Sequence, residues 1–393
     1  MLRNPWSGLP GAGLFLVVLS LTACIDSQGI APRSERLDVA AVDAGRAIRQ
    51  AEREARWPDA RWWRAYGDPQ LDAWMEMALA ESPTLAMAAA RVRQARALVG
   101  AVESAERPQA NLDASLQRKR WPDDYFYGPG DLARTTSWNN TSLLGFSYDL
   151  DLWGRERSRS AQALDQARMR GAEARLAALE LQGNLVRSYI GLALLHGERD
   201  VAQASLAQQE QRLALAQRRL RDGIGTRLEV SRVEAELPET HRRIDALDES
   251  IALVRHQLAA LAGRGPGEGD RLQRPRLDLQ RMPGLPDKLP LELLGRRPDL
   301  VASRWAVAAE ARGIEVAKAG FYPNIDLLGG VGSSATQGGM LDFLRYDSLT
   351  YHLGPALSLP VFDGGLRRGQ LGAATAGYDL AVERYNQTLV NAL

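Results

Sequence analysis

Leu144-Gly145-Phe146-Ser147-Tyr148-Asp149-Leu150-Asp151-Leu152-Trp153-Gly154 is a run in which the residue period changes. Leu144, Phe146, Tyr148, Leu150 and Leu152 alternate with Ser147, Asp149 and Asp151, the two-residue period of a strand with one apolar and one polar face. Beyond Gly154 the alternation stops. No proline occurs from there to Asp222, and Ala, Leu, Gln and Arg dominate. As one helix that stretch is about 100 Å long. No globular core hides such a rod, so it must pack along its length in a coiled-coil-like assembly.

Working outward, Ala110, Leu112, Ala114 and Leu116 alternate with Asn111, Asp113, Ser115 and Gln117, and an aromatic and glycine-rich loop joins them to the first run. The pair reads as a hairpin over 109–153. Each arm is near the ~9–11 residues that cross a bilayer at a tilt, although a soluble, half-buried hairpin shows the same alternation. A helix is expected from Asp68 to Arg107, broken or restarted at Pro83. After the long helix, Gly223-Ile224-Gly225-Thr226 marks a turn. A return helix from Arg227 to about Ala262 is expected to be interrupted at Pro238.

The same order recurs. Pro83 and Pro108 have counterparts in Pro298 and Pro323, both displaced by 215 positions (298 − 83 and 323 − 108). A second alternating pair follows, Ile325, Leu327, Gly329 and Val331, then Leu349, Tyr351, Leu353, Leu357, Leu359 and Val361. Leu152-Trp153-Gly154 aligns with Val361-Phe362-Asp363. The expected organisation is repeat 1 over 68–263, a Pro/Gly-rich linker over 264–294, and repeat 2 over 295–393 with its hairpin at 324–362. Repeat 2 stops at Leu393 within its long helix, so it reads as a shortened copy.

The N-terminus reads as a signal peptide over 1–23. Arg3 precedes an apolar run from Leu14 to Leu21, and Leu21-Thr22-Ala23-Cys24 follows, resembling a bacterial lipobox. Cys24 is the only cysteine, so it has no partner for an internal disulfide, and acylation is the expected modification. Residues 24–67 then form a lipidated leader. Lys+Arg 49 against Asp+Glu 48 gives a net charge of +1, which leaves no electrostatic case for nucleic acid. Mean hydropathy is −0.28, but averaging hides a β-barrel whose strands face lipid only on alternate residues.

Four strands do not close a barrel, and an open edge inside lipid leaves backbone groups without partners. Chains must pool strands. A dimer gives 8 and a trimer 12, and the wider barrel leaves a solute path. On that reading Phe146, Tyr148, Leu150, Tyr351 and Leu353 face lipid, while Asp149 and Asp151 face the lumen.

The residues that now stand out resemble the TolC-like outer membrane factors, in particular their lipoprotein (NodT/OprM-type) branch. They are Trp62-Trp63, Tyr66-Gly67-Asp68-Pro69-Gln70-Leu71, Tyr148 to Arg155, Gly295 to Leu300, Glu315 to Pro323, and Leu359 to Gly365. The resemblance implies a mainly α protein with membrane β: a trimeric 12-stranded outer-membrane barrel continued by a long α-helical periplasmic barrel. It implies an efflux exit duct working with an inner-membrane pump and a periplasmic adaptor, with outer-membrane lipid around the barrel. It also places Gly223, Ile224 and Thr226 at the turn that meets the adaptor. No cofactor is expected beyond the lipid on Cys24. The four histidines are scattered, and Gly329-Gly330-Val331-Gly332 lacks the Lys-Ser/Thr of a phosphate loop, so no enzyme is expected. A periplasmic coiled-coil lipoprotein acting as an adaptor or structural interaction protein is the alternative.

If the lipobox reading holds, Cys24→Ala abolishes incorporation of radiolabelled palmitate into the expressed chain; label retained by this variant refutes it.

Overall fold

The computed structural model describes residues 27, 29–38, 60–122, 132–279 and 297–392. Cys24, the signal sequence, and the Gly295-Arg296 part of one quoted motif lie outside them. The chain divides into two compact units. One holds Arg93–Met169, Ala302–Asn391 and the leader up to Leu37; the other holds Asp38–Val92 and Arg170–Val301.

The first unit is built on a four-stranded antiparallel sheet in the order β1-β2-β3-β4: Gln109–Arg120, Thr136–Asp149, Asn324–Ala335 and Leu349–Ser358. The ladders run without a bulge, pairing Gln109 with Ser147 through Arg120 with Thr136, Asn140 with Ala335 through Asp149 with Asp326, and Asn324 with Ser358 through Ser333 with Leu349. Gly332 shows why β3 is glycine-rich. A Cβ there would lie 2.0 Å from the Ser142 carbonyl oxygen, so β2 approaches only because no side chain intervenes. The hairpin ends are tied by Asn140, 1% exposed, whose side chain accepts from the Gln117 N–H (3.0 Å) and donates to the Met340 carbonyl (2.6 Å).

Residues Arg33 to Leu37 of the leader have a defined seat in this unit. The N–H groups of Arg33 and Ser34 donate to Asp379 (2.9 and 3.0 Å). Asn386 accepts from the Leu37 N–H (2.8 Å) and donates to the Glu35 carbonyl (3.1 Å).

Among the described residues the helices longer than one turn are α1 (Pro69–Glu81), α2 (Pro83–Glu103), α3 (Arg155–Arg221), α4 (Arg227–Glu234), α5 (Leu237–Leu261), α6 (Pro298–Ala319) and α7 (Leu366–Ala392). Pro83, Pro238 and Pro298 all stand in the first turn of a helix, where a missing N–H is no loss. Pro238 therefore begins a new helix rather than kinking one.

The second unit has the main apolar core. Leu71, Met75 and Ala78 of α1 recur at helical spacing and meet Leu185, Tyr189 and Leu192 of α3, Leu258 and Ala259 of α5, and Ala262 just past its end. Its polar knot is Asp68, the N-cap of α1. The carboxylate accepts from the Gln70 N–H (2.9 Å), the Tyr189 hydroxyl (2.9 Å) and the Arg276 N–H (2.7 Å). Gln70 completes it by pairing with both backbone groups of Gln273. Residues Arg271 to Asp278, which read as linker in the sequence, are thereby pinned to the start of α1. Burial, foremost, with the Asp68 charge beside it, raises the Tyr189 hydroxyl well above the ordinary tyrosine range, so it stays a donor.

Asp68→Ala removes a cap and leaves the buried Tyr189 hydroxyl and the part-buried Arg276 N–H without that acceptor, and should destabilise the protein by about 2–4 kcal/mol. Asp68→Asn should cost clearly less. Thermal unfolding in detergent checks both, and equal midpoints for Asp68→Ala and parent contradict the knot.

Candidate functional site: channel wall and helix-tip turn

Residues directly opposed in an antiparallel ladder point their side chains to the same face. The register therefore puts Ala110, Phe146, Gly329 and Leu353 in one row, and Leu112, Leu144, Val331 and Tyr351 in the next. Tyr148, Leu327 and Pro355 make a third. These rows are apolar across all four strands and largely exposed: Leu112 69%, Tyr351 81% and Leu353 77%; nearer the hairpin ends the same face carries Ser142, Ser333 and the buried Asn140. The opposite face carries Asn111, Asp113, Ser115, Ser147, Asp149, Asp326, Thr350 and His352. Four of the five residues expected to face lipid, Phe146, Tyr148, Tyr351 and Leu353, share the apolar face. Leu150, also exposed, lies one residue past the end of β2, its N–H donating to the Ile325 carbonyl (3.1 Å). Trp138 and Tyr148 stand near the two ends of this face on β2. The ten residue steps from one to the other span about 33 Å along the strand, or about 25 Å of height at a 40° tilt.

Asp149 and Asp151 part company. Asp149 closes β2 on the polar face and holds Arg155 at 3.0 Å. Asp151 is not on the strand: it has a positive φ of 43° in the turn after it. Its carboxylate caps α3, accepting from the N–H groups of Glu156 (2.9 Å) and Arg157 (3.0 Å) and from the Arg157 guanidinium (3.1 Å). The sequence reading extended the strand alternation two residues too far, because a capping aspartate falls in phase with it. Burial pushes the Asp151 carboxyl up, but those N–H groups and the guanidinium outweigh it and hold it below the usual carboxylate range.

The second repeat solves the same junction with Asp363. It accepts from the Gly365 N–H (2.9 Å) and from Arg367 (2.9 Å), and Arg367 also reaches the Gly320 carbonyl. Alignment sets Asp363 opposite Gly154, yet it does for α7 what Asp151 does for α3. Trp153 completes the first junction by stacking on Tyr322 (4.5 Å between centroids) and donating to the Pro323 carbonyl (2.8 Å). Beneath the sheet's polar face is a cleft of about 630 Å³, its walls including Arg155, Arg159, Glu310, Asp326 and Arg367.

At the far end of α3 the turn is fully specified by caps. Gly223, at φ +78°, donates to the Leu220 carbonyl (3.2 Å) while Ile224 donates to that of Arg219 (3.0 Å), which is a Schellman ending. Thr226 and Glu229 exchange side-chain and backbone bonds at 3.2 Å, a capping box that starts α4. A Cβ on Gly225 would meet the Leu220 nitrogen at 3.0 Å. Gly223 and Thr226 thus have structural work of their own. Ile224 does not pack back on the helix; it is 68% exposed, with Leu228 exposed nearby.

Among the described residues no three His, Cys, Asp or Glu side chains stand close enough to hold a metal, and no helix is long and apolar enough to cross a membrane. Among the described residues, a sheet with two unpaired edges, one face with exposed apolar rows and a polar face continuing into a polar cleft has the form of a piece of channel wall.

The chain belongs to the outer membrane efflux protein family, whose profile matches residues 74–264 and 289–393. It is 50% identical over 370 residues to the fusaric acid resistance protein FusA of Burkholderia cepacia, covering 94% of this chain and 70% of that protein. It is 29% identical over 344 residues to the multidrug resistance outer membrane protein MdtP of Escherichia coli, covering 86% of this chain and 70% of MdtP. Its fold is similar to the outer membrane protein VceC of Vibrio cholerae (TM-score 0.78, 32% identity, 85% of this chain and 79% of VceC). It is also similar to the outer-membrane channel OprN (TM-score 0.77, 27% identity, 92% of this chain and 77% of OprN). The fold class and the efflux-channel function implied by the sequence resemblance are thus those of the family, and the adaptor alternative falls away.

A depressed Asp151 carboxyl stabilises the fold above its unfolded value near 4, and that stabilisation is lost as pH falls through the folded value. Asp151→Asn should therefore lower the thermal midpoint at pH 7, and by less at about pH 3, below the unfolded value. An equal deficit at both pH values would show that charge is not what the cap uses.

Proposed function

We propose that the chain is one third of a trimeric duct in which three four-stranded sheets close a 12-stranded barrel in the outer membrane and the helices continue it into the periplasm. The observation that carries this is the register. It gathers the exposed apolar side chains of four strands on one face, with Trp138 and Tyr148 near its two ends, and leaves β1 and β4 each with an unpaired edge. In hydrocarbon such edges require a partner strand, which another copy supplies.

In this reading Phe146, Tyr148, Tyr351 and Leu353 contact lipid, with Leu150 at the rim, and Asp149 faces the lumen. An acyl chain on Cys24 adds a second anchor. The Gly223–Thr226 turn meets a periplasmic adaptor coupled to an inner-membrane pump, and Ile224 is the side chain that reaches it. The similarity to FusA makes fusaric acid the first solute to test.

Phe146→Arg or Leu353→Arg places a charge against lipid, at a cost of about 2–4 kcal/mol near mid-membrane, and should sharply lower the yield of assembled trimer. Their chain neighbours on the polar face, Ser147→Arg and His352→Arg, should assemble nearly normally. Equal loss in both sets means the sheet does not stand in a membrane.

For the tip, Ile224→Asp is the cleaner probe, because any substitution at Gly223 strains the backbone by itself. It should abolish drug efflux in cells while trimer yield is unchanged. Full efflux, or loss only through failed assembly, removes the contact role.

A further inference from the structure

The apolar face of β1 does not end in an apolar residue. Following Leu112, Ala114 and Leu116 on that face come Arg118 and Arg120, the last of the strand, both exposed. Arg118 pairs with Trp138, and its guanidinium lies 5.8 Å from the centre of that ring, within cation–π range. Neither arginine has a carboxylate partner among the described residues, whereas Arg155, Arg157, Arg159, Arg168 and Arg367 of the same unit are all paired. All four strands meet helices at their Gln109, Asp149, Asn324 and Ser358 ends, so Arg118 and Arg120 mark the opposite rim.

A guanidinium at the border of an apolar face extends its stem over that face and keeps its head in the polar layer. Two residues apart on one strand face, the two arginines start about 7 Å from each other, close enough for both to reach one anion. Trp138 fixes one of them in place.

We infer that Arg118 and Arg120, braced by Trp138, form a site on the outside of the barrel for the phosphate of an anionic lipid headgroup in the leaflet facing away from the helices. The partner is a lipid rather than a free anion because the site is continuous with the apolar face: a headgroup bound there lays its chains along Leu116, Leu112 and Leu144. A planar guanidinium pair suits a phosphate's oxygens by charge-assisted hydrogen bonds.

This inference rests on the barrel reading above, and the two fail separately: the barrel reading stands or falls with trimer yield in the Leu353→Arg and His352→Arg comparison. The test is native mass spectrometry of the assembled full chain in detergent, titrated with didecanoyl phosphatidic acid or with didecanoylglycerol, which has the same chains and no phosphate. The parent should prefer phosphatidic acid, and Arg118→Gln with Arg120→Gln should weaken it on the order of tenfold or more while leaving didecanoylglycerol unchanged. Lys119→Gln, the neighbour on the polar face, should change neither.

Equal binding of both lipids by the parent, or undiminished phosphatidic acid binding by the glutamine pair, overturns the inference. So does a loss as large in Lys119→Gln, which would reduce the effect to overall charge. Displacement of phosphatidic acid by inorganic phosphate at similar concentration would reassign the site to free anions. Should the pair lower assembly, Arg120→Gln alone, at the exposed strand end, supports the same comparison.

Discussion

Strand register is the constraint from which the rest follows. Side chains alternate along a strand, so slipping one strand by a single residue would send its leucines to the polar face and its serines and aspartates to the apolar one. The three ladders of this sheet keep a constant offset from end to end. That is why Leu112, Leu144, Val331 and Tyr351, drawn from positions more than two hundred residues apart, form one row. Asn140 at one end, and Asp149 paired with Arg155 at the other, hold the alignment where the ladders finish. The glycines of β3 let the neighbouring backbone come close enough for it to persist.

A strand that continues directly into a helix presents a local problem, because the helix begins with N–H groups that have no intrahelical acceptor. Both repeats place an aspartate in the connecting turn, and in both an arginine of the first helical turn grips it. Asp68 does the same for α1 and also collects Tyr189 and Arg276. The short motifs that mark the family in this chain are thus joints: they fix how a helix starts, and through that where its faces point. The acidic residues at these joints are occupied by backbone donors, and their first work is to start the helices.

The turn between α3 and α4 shows how a contact residue is separated from the scaffold that carries it. Gly223, Gly225, Thr226 and Glu229 shape the chain reversal by backbone conformation and capping. Ile224 is left over: it occupies the position that commonly packs back on a helix after a Schellman ending, yet stays exposed. An apolar side chain held outward by a rigid turn loses little conformational entropy on meeting a partner.

Much of this was legible in the amino-acid sequence alone. The change of period at Gly154, the two hairpins, the proline-paired repeat and the Gly-Ile-Gly turn are local patterns, and the physics that reads them is local too: side-chain alternation, helix periodicity and turn chemistry. That several copies pool their strands was also implied, since four strands leave two edges. What the sequence could not separate was Asp149 from Asp151, because a helix cap and a strand residue can share the same alternation and only backbone dihedrals tell them apart. Nor could it show the Asp68 knot, the leader's seat on Asp379 and Asn386, or the meeting of Arg118 with Trp138. Those join residues distant in the chain, and which donor reaches which acceptor is fixed only when packing brings them to hydrogen-bond distance.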